Sequence, residues 1–84
     1  MRAIWIKTID GFTNMRLYRC EPGGKLPEHV VVSAINVPFT GPETYIFEAN
    51  KNGTITQWGE LYGSFRGGLD HEKALRDAGY EVAS

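Results

Sequence analysis

The chain predicts a single small α+β domain spanning residues 1–84, an antiparallel sheet of about five strands with one C-terminal helix packed on it. Three observations predict it. Short runs rich in β-branched and aromatic residues recur along the chain, separated by Gly, Pro, Asn and Asp. Ten residues are glycine, most of them paired or at apparent turns, which suits many short strands better than a helical bundle. Near the C-terminus one segment carries both a start and a stop signal for a helix. Strand order is left open, and the sheet could be curled or barrel-like.

Ala3 to Ile9 reads as the first strand. Asp10-Gly11-Phe12-Thr13-Asn14 supplies turn residues, and Met15 to Cys20 pairs back as a hairpin. Glu21-Pro22-Gly23-Gly24-Lys25-Leu26-Pro27 is a loop, punctuated by two prolines and a glycine pair. His29 to Val37 is the most apolar run and predicts a central strand, with Asn36 marking a bulge or an early end. Thr40-Gly41-Pro42-Glu43 is a turn, and Thr44 to Ala49 is the fourth strand. Asn50-Lys51-Asn52-Gly53 ends in Asn-Gly, which tolerates positive φ, so Thr54 to Trp58 should return as the fifth strand. Gly59 to Gly68 is irregular.

Leu69 to Gly79 is the helical segment. Asp70 suits the N-cap, because its carboxylate can accept from free first-turn amides. Leu69 could staple onto Ala74. Gly79 fits the left-handed position after the helix. A helix of about nine residues does not stand alone, so it must dock on the sheet, through Leu75, Ala78 and Tyr80. Tyr80-Glu81-Val82 could add a short edge strand.

Composition bounds the function class. Net charge is −1, so no global field favours nucleic acid or an anionic membrane. Residues 1–25 carry a net +3 and residues 26–84 a net −4. Cys20 is the single cysteine, so no internal disulfide forms and nothing points to secretion. The first residues lack an apolar signal-peptide core, and no apolar run approaches the roughly 20 residues of a membrane span. A cytoplasmic protein with no membrane association is expected.

Several groupings invite a chemical reading. Asp70-His71-Glu72 has the residue types of a metal site, but consecutive helical residues point apart and ligands belong three or four apart. A cap followed by a solvated turn explains them. Arg66-Gly67-Gly68 precedes a helix N-terminus, where phosphate can bind. The acidic Asp70 would occupy the anion's place, and the Walker and dinucleotide spacings are absent. Cys20 with His29 or His71 could be written as nucleophile and base, yet a buried structural cysteine on a strand is the usual outcome. No catalytic residue, metal ligand or cofactor is therefore assigned, and the protein is expected to be non-enzymatic.

Two aromatic–basic groups remain. Trp58, Tyr62 and Phe65, with Arg66 beside them, surround the irregular stretch; Trp, Tyr and Arg favour interface hot spots. This group is the candidate protein-binding site, and a lid over the open end of the sheet is its plainer explanation. Trp5, Lys7, Arg16, Tyr18 and Arg19 on the first hairpin could stack bases and meet phosphates. Trp5 shares a strand face with Lys7, and Arg16 with Tyr18. Neither an RNP motif nor a KH loop accompanies them.

The segment Trp58 to Val82 resembles the C-terminal end of small uncharacterised proteins of actinobacterial phages and prophages. The shared pattern is an aromatic-Arg-Gly turn, then Leu69-Asp70-His71-Glu72, then Ala74-Leu75 and Ala78-Gly79-Tyr80. The resemblance covers about a third of the chain. It implies a phage or prophage accessory protein and brings no activity or functional residues with it. The leading expectation is a non-enzymatic accessory module that binds a host factor or a phage component. Nucleic-acid binding through the first hairpin, and a virion or homo-oligomeric structural role, are the alternatives.

Overall fold

The structure is a computed structural model that describes residues 1–9, 12–21, 23 and 27–83, with backbone alone at 12 and 13. Among the described residues seven strands and one helix follow in the order β1 (Arg2–Ile9), β2 (Phe12–Glu21), β3 (His29–Val37), β4 (Gly41–Ala49), β5 (Ile55–Gln57), β6 (Phe65–Arg66), α1 (His71–Asp77) and β7 (Glu81–Ala83). They form one open sheet in the order β5-β4-β3-β2-β1-β7, with β6 also paired to β4. All pairings are antiparallel except β1–β7. Among the described residues no helix is long and apolar enough to cross a membrane.

The α+β class and the single C-terminal helix match expectation. Two features of the expected sheet are corrected. It has seven strands rather than about five, and it is open rather than closed as a barrel. The additional strands, β6 and β7, are two and three residues long. Pairing with β4 defines β6, and β7 lies at the sheet edge beside β1, where Tyr80-Glu81-Val82 offered a short edge strand. Asp10 and Gly11 of the first predicted turn, and Pro22, Gly24, Lys25 and Leu26 of the predicted loop, lie outside the described residues.

Register decides what faces what. Val30, Val32 and Ala34 of β3 face the helix with Tyr18 and Cys20 of β2 and Thr44 and Ile46 of β4. Val31 faces the other way with Leu17 and Phe47, its neighbours across the ladder. Two cores result. Under α1, Ala74 and Leu75 meet Ala3, Tyr18, Cys20, Val30, Val32 and Ile46, flanked by Leu61, Phe65, Ala78, Tyr80 and Val82. On the second face, Leu17, Val31 and Ala49 pack with Ile9, Met15 and Ile55. Leu75 alone, fully buried, contributes about 1.5–3 kcal/mol of apolar transfer.

The expected Asn36 bulge is absent, because β3 pairs β4 without interruption from His29↔Ala49 to Val37↔Gly41. Gly41 is therefore already in the strand, and Pro38 to Thr40 make the turn. The bulge lies instead in β1. Trp5 pairs Tyr18, whereas the next pair is Lys7↔Leu17, so Ile6 is the extra residue. The bulge moves Lys7 out of the row of Trp5 and into that of Leu17, which corrects the expectation that the two share a face.

The helix is closed as its sequence predicts. The Asp70 carboxylate accepts from the Lys73 amide at 3.0 Å. Tyr80 and Gly79 amides donate to Leu75 and Arg76 carbonyls, both at 3.0 Å, with Gly79 at φ +100°, a Schellman motif. Leu69, before the cap, is about half exposed.

Candidate protein-binding surface

The segment between β5 and α1 follows the outer edge of β4, and its side chains are placed by that edge. β5 pairs the end of β4 at Glu48 and Ala49, and β6 pairs its start at Glu43 and Thr44. Between them the Leu61 amide donates to the Ile46 carbonyl at 2.8 Å, and the Ser64 hydroxyl accepts from the Ile46 amide at 2.9 Å. The Thr44 hydroxyl donates to the Gly68 carbonyl at 2.8 Å and accepts from the Asp70 amide at 3.1 Å. An edge that would otherwise present free donors and acceptors is thus occupied along its length.

This path sends the four predicted interface residues in different directions. Phe65 packs on the helix-side core, with the Lys73 ammonium 4.5 Å from its ring centroid. Tyr62 lies at the tip of the 61–64 turn and is 84% exposed. Trp58 and Arg66 reach the second face at opposite ends of β4. Trp58 is 70% exposed and lies against Phe47, ring centroids 5.3 Å apart. Arg66 crosses the ring of Tyr45 at 5.8 Å.

Tyr45 and Phe47 complete a row. They are two apart on β4, share its second face and stack with centroids 5.9 Å apart. The surface runs Arg66, Tyr45, Phe47, Trp58. It is anchored by Glu43, which is buried under Arg66 with Oε2 3.4 Å from Nε and accepts from the Tyr45 hydroxyl. That hydrogen bond and partial desolvation raise the Tyr45 phenol above its ordinary pKa. Electrostatic interaction with Tyr45, Glu43 and Glu60 pushes the Arg66 guanidinium further above its ordinary value. Beyond Trp58 lies an apolar groove of about 450 Å³, lined by Ile9, Met15, Gly53, Thr54, Ile55 and Trp58. The row offers flat apolar rings, one oriented cation and a buried acid committed to holding it. Among these side chains no nucleophile lies paired with a base.

Tyr45 and Phe47 were not among the residues expected to bind. Their signal was strand alternation: Glu43, Tyr45 and Phe47 recur every second residue on one strand face.

The first-hairpin group is divided between faces. Trp5, Arg16 and Tyr18 lie on the helix side, with the Arg16 guanidinium 5.1 Å from the centroid of the Trp5 ring. Tyr18 is buried, so no base can stack on it. Lys7 and Arg19 lie on the second face, where Arg19 pairs with Glu21 at 3.5 Å.

The remaining groupings have structural partners. Asp70 caps the helix, Glu72 pairs with Arg76 at 3.3 Å, and His71 Nε2 lies 2.7 Å from the Asn14 carbonyl oxygen. His29 is beside Arg19 at the other end of β2 and on the other face. Among the described residues no three His, Cys, Asp or Glu side chains converge as a metal site. The Cys20 thiol is buried; desolvation raises its pKa, against a hydrogen bond with Tyr80 that lowers it. It is therefore a poor thiolate.

Comparison with known proteins returns no match: no family model, no curated protein and no solved structure is similar to this chain.

Proposed function

We propose that this chain is a small non-enzymatic binding module whose Arg66–Tyr45–Phe47–Trp58 row engages a protein partner. The observation that carries the reading is the row itself. Trp58, 70% exposed, lies against the half-buried Phe47, which stacks on the half-buried Tyr45 next to an arginine paired with a buried carboxylate. Aromatic and Arg side chains dominate interface hot spots, and pre-ordering them lowers the cost of binding. The resemblance of Trp58 to Val82 to phage and prophage proteins supports a phage accessory role, with a host factor or a phage component as partner. Action in the host cytoplasm follows from that role.

The test is affinity capture from an actinobacterial lysate with wild-type and Trp58→Ala proteins side by side. The reading expects a protein recovered by the wild type and lost by the variant. Equal recovery by both, or no reproducible recovery, contradicts it.

Nucleic-acid binding through the first hairpin keeps one favourable observation, the Arg16–Trp5 stack, with Trp5 42% exposed. That reading expects salt-dependent affinity for single strands that falls with Arg16→Ala. A structural homo-oligomer would be recognised by light scattering.

A further inference from the structure

We propose that Asn52 is a spontaneous modification site, converted through a succinimide to isoaspartate, and that the conversion loosens β5 and the seat of Trp58. Only its effect on binding rests on the reading of the row as a protein-binding surface.

Sequence and packing single out the position. Of the four asparagines, Asn14, Asn36 and Asn50 precede Met15, Val37 and Lys51, whose side chains crowd the main-chain nitrogen that would have to attack. Asn52 precedes Gly53, which has no Cβ to obstruct it, and lies exposed in the β4–β5 turn. The fold itself holds glycine there. Its φ is +90°, and a Cβ would stand 2.6 Å from Ile9 Cδ1. The reactive pair is thus tied to the packing of the turn on the second face.

The chemistry needs only water and hydroxide. The Gly53 nitrogen gives its proton to hydroxide and attacks Asn52 Cγ. A C–N bond forms, the bond from Cγ to the side-chain nitrogen breaks, and that nitrogen leaves as ammonia with a proton from water. Nothing is oxidised or reduced. Water then opens the ring. Attack at Cγ gives aspartate. Attack at the main-chain carbonyl carbon gives isoaspartate, whose chain runs through Cβ and Cγ and is one carbon longer.

The closed turn restrains the reaction, because the Gly53 amide donates to the Asn50 carbonyl at 3.0 Å. The turn is nevertheless weakly held. It leads into β5, an edge strand of three residues that pairs β4 at Glu48↔Gln57 and Ala49↔Ile55 with an irregularity between them. Such elements open locally at far less than the cost of global unfolding, and each opening frees the Gly53 nitrogen.

After conversion the turn no longer closes as before. Asn50 Oδ1 accepts from the Asn52 and Thr54 amides at 2.9 and 3.1 Å, and the Asn50 amide donates to the Thr54 carbonyl at 3.0 Å. An extra carbon at residue 52 sets these partners out of step. Gly53 lifts from Ile9 and Leu17, β5 loses its register, and Trp58, the residue after β5, loses its seat on Phe47.

The experiment holds the full chain in warm, mildly alkaline buffer, folded or in urea, with trypsin digestion at intervals. Cleavage after Lys51 and Arg66 isolates peptide 52–66, whose one asparagine is Asn52, from peptides 8–16 and 26–51, which hold the others. Peptide 52–66 should gain the mass of water less that of ammonia and accept a methyl group from isoaspartyl methyltransferase. It should convert more slowly from the folded chain than in urea, and in both at least tenfold faster than the other two peptides. In the separated isoaspartyl form, the amides of residues 54–57 should exchange severalfold faster than in the unmodified chain. Asn52→Gln, whose longer side chain would need a larger and slower-closing ring, should keep its mass and its protection. No conversion of the folded chain by the time the chain in urea is fully converted, or equal conversion of the other peptides, overturns the site. Unchanged exchange at 54–57 in the isoaspartyl form overturns the loosening. If β5 loosens and the isoaspartyl form still recovers the captured partner, the inference stands and the reading of the row falls.

Discussion

His71 looks like a ligand in the sequence and behaves as a structural strut in the fold. It is half-buried, and its Nε2 meets the Asn14 carbonyl at 2.7 Å, which calls for a proton on Nε2 that the ring donates. Desolvation holds the imidazole below its ordinary value of 6.5, against the opposing pull of the Asn14 carbonyl. The unfolded chain therefore takes up this proton first as pH falls. Stability is complete above about pH 6.5 and declines as pH drops toward the lower folded value. Thermal melts should show a lower Tm at about pH 5 than at about pH 7.5, and His71→Gln should remove part of that difference. An unchanged difference in the variant would rule His71 out as its source. Backbone strain makes two further predictions. Phe39 stands fully exposed at the β3–β4 turn with φ +70°, where a side chain clashes and Asn is better tolerated. Phe39→Asn should raise stability by about 0.5–1 kcal/mol in urea unfolding, and a loss would show that the ring has a structural role. Gly63, at φ +105°, has no room for a Cβ, which would meet the Ala74 carbonyl and lie 2.8 Å from Ala78 Cβ. Gly63→Ala should cost about 2–4 kcal/mol, through strain and overpacking together.

Elements closed by local chemistry were the legible ones. Asp70, Gly79 and Tyr80 announce α1 because capping involves residues within a turn of the helix end, and the Asn50–Gly53 turn announces β4–β5 for the same reason. The Asn50 side chain accepts from the Asn52 and Thr54 amides at 2.9 and 3.1 Å, and Gly53 has φ +90°. The β1 bulge and the short strand β6 were not legible, since a distant partner fixes them, whereas β7 falls where Tyr80-Glu81-Val82 offered a short edge strand. The same holds for the 59–70 segment, whose glycines read as irregular and whose course is dictated by β4. Two substitutions separate these classes. Asp70→Ala should lower stability by about 1 kcal/mol, the ordinary value of an N-cap. Ser64→Ala should cost about 1–3 kcal/mol, because the Ile46 amide loses its acceptor between two paired strands. Hydrogen exchange would show the Ile46 amide opening first in that variant; unchanged protection there would mean that another acceptor replaces the hydroxyl.

At the scale of the whole molecule, among the described residues one sheet face is covered by α1 and the 61–65 segment, and the other only at one end. There the β4–β5 turn curls back, and a Cβ at Gly53 would be 2.6 Å from Ile9 Cδ1. The rest of the second face carries the aromatic row. Trp58 and Arg66 could be proposed from composition alone. Their separation from Phe65 and Tyr62, and their union with Tyr45 and Phe47, depended on the register of β4 with β5 and β6. The first hairpin illustrates the same limit, since one extra residue in β1 divides its basic and aromatic side chains between two faces. The two tryptophans, Trp5 beside the helix and Trp58 on the row, lie on opposite faces and so report separately on the two candidate surfaces. The most direct measurement is therefore ¹⁹F NMR of 5-fluorotryptophan-labelled protein, with the two resonances assigned by Trp5→Phe and Trp58→Phe. On adding the captured partner, the Trp58 resonance should shift or broaden while that of Trp5 stays fixed. A response at Trp5 with none at Trp58 would contradict the row as the binding surface.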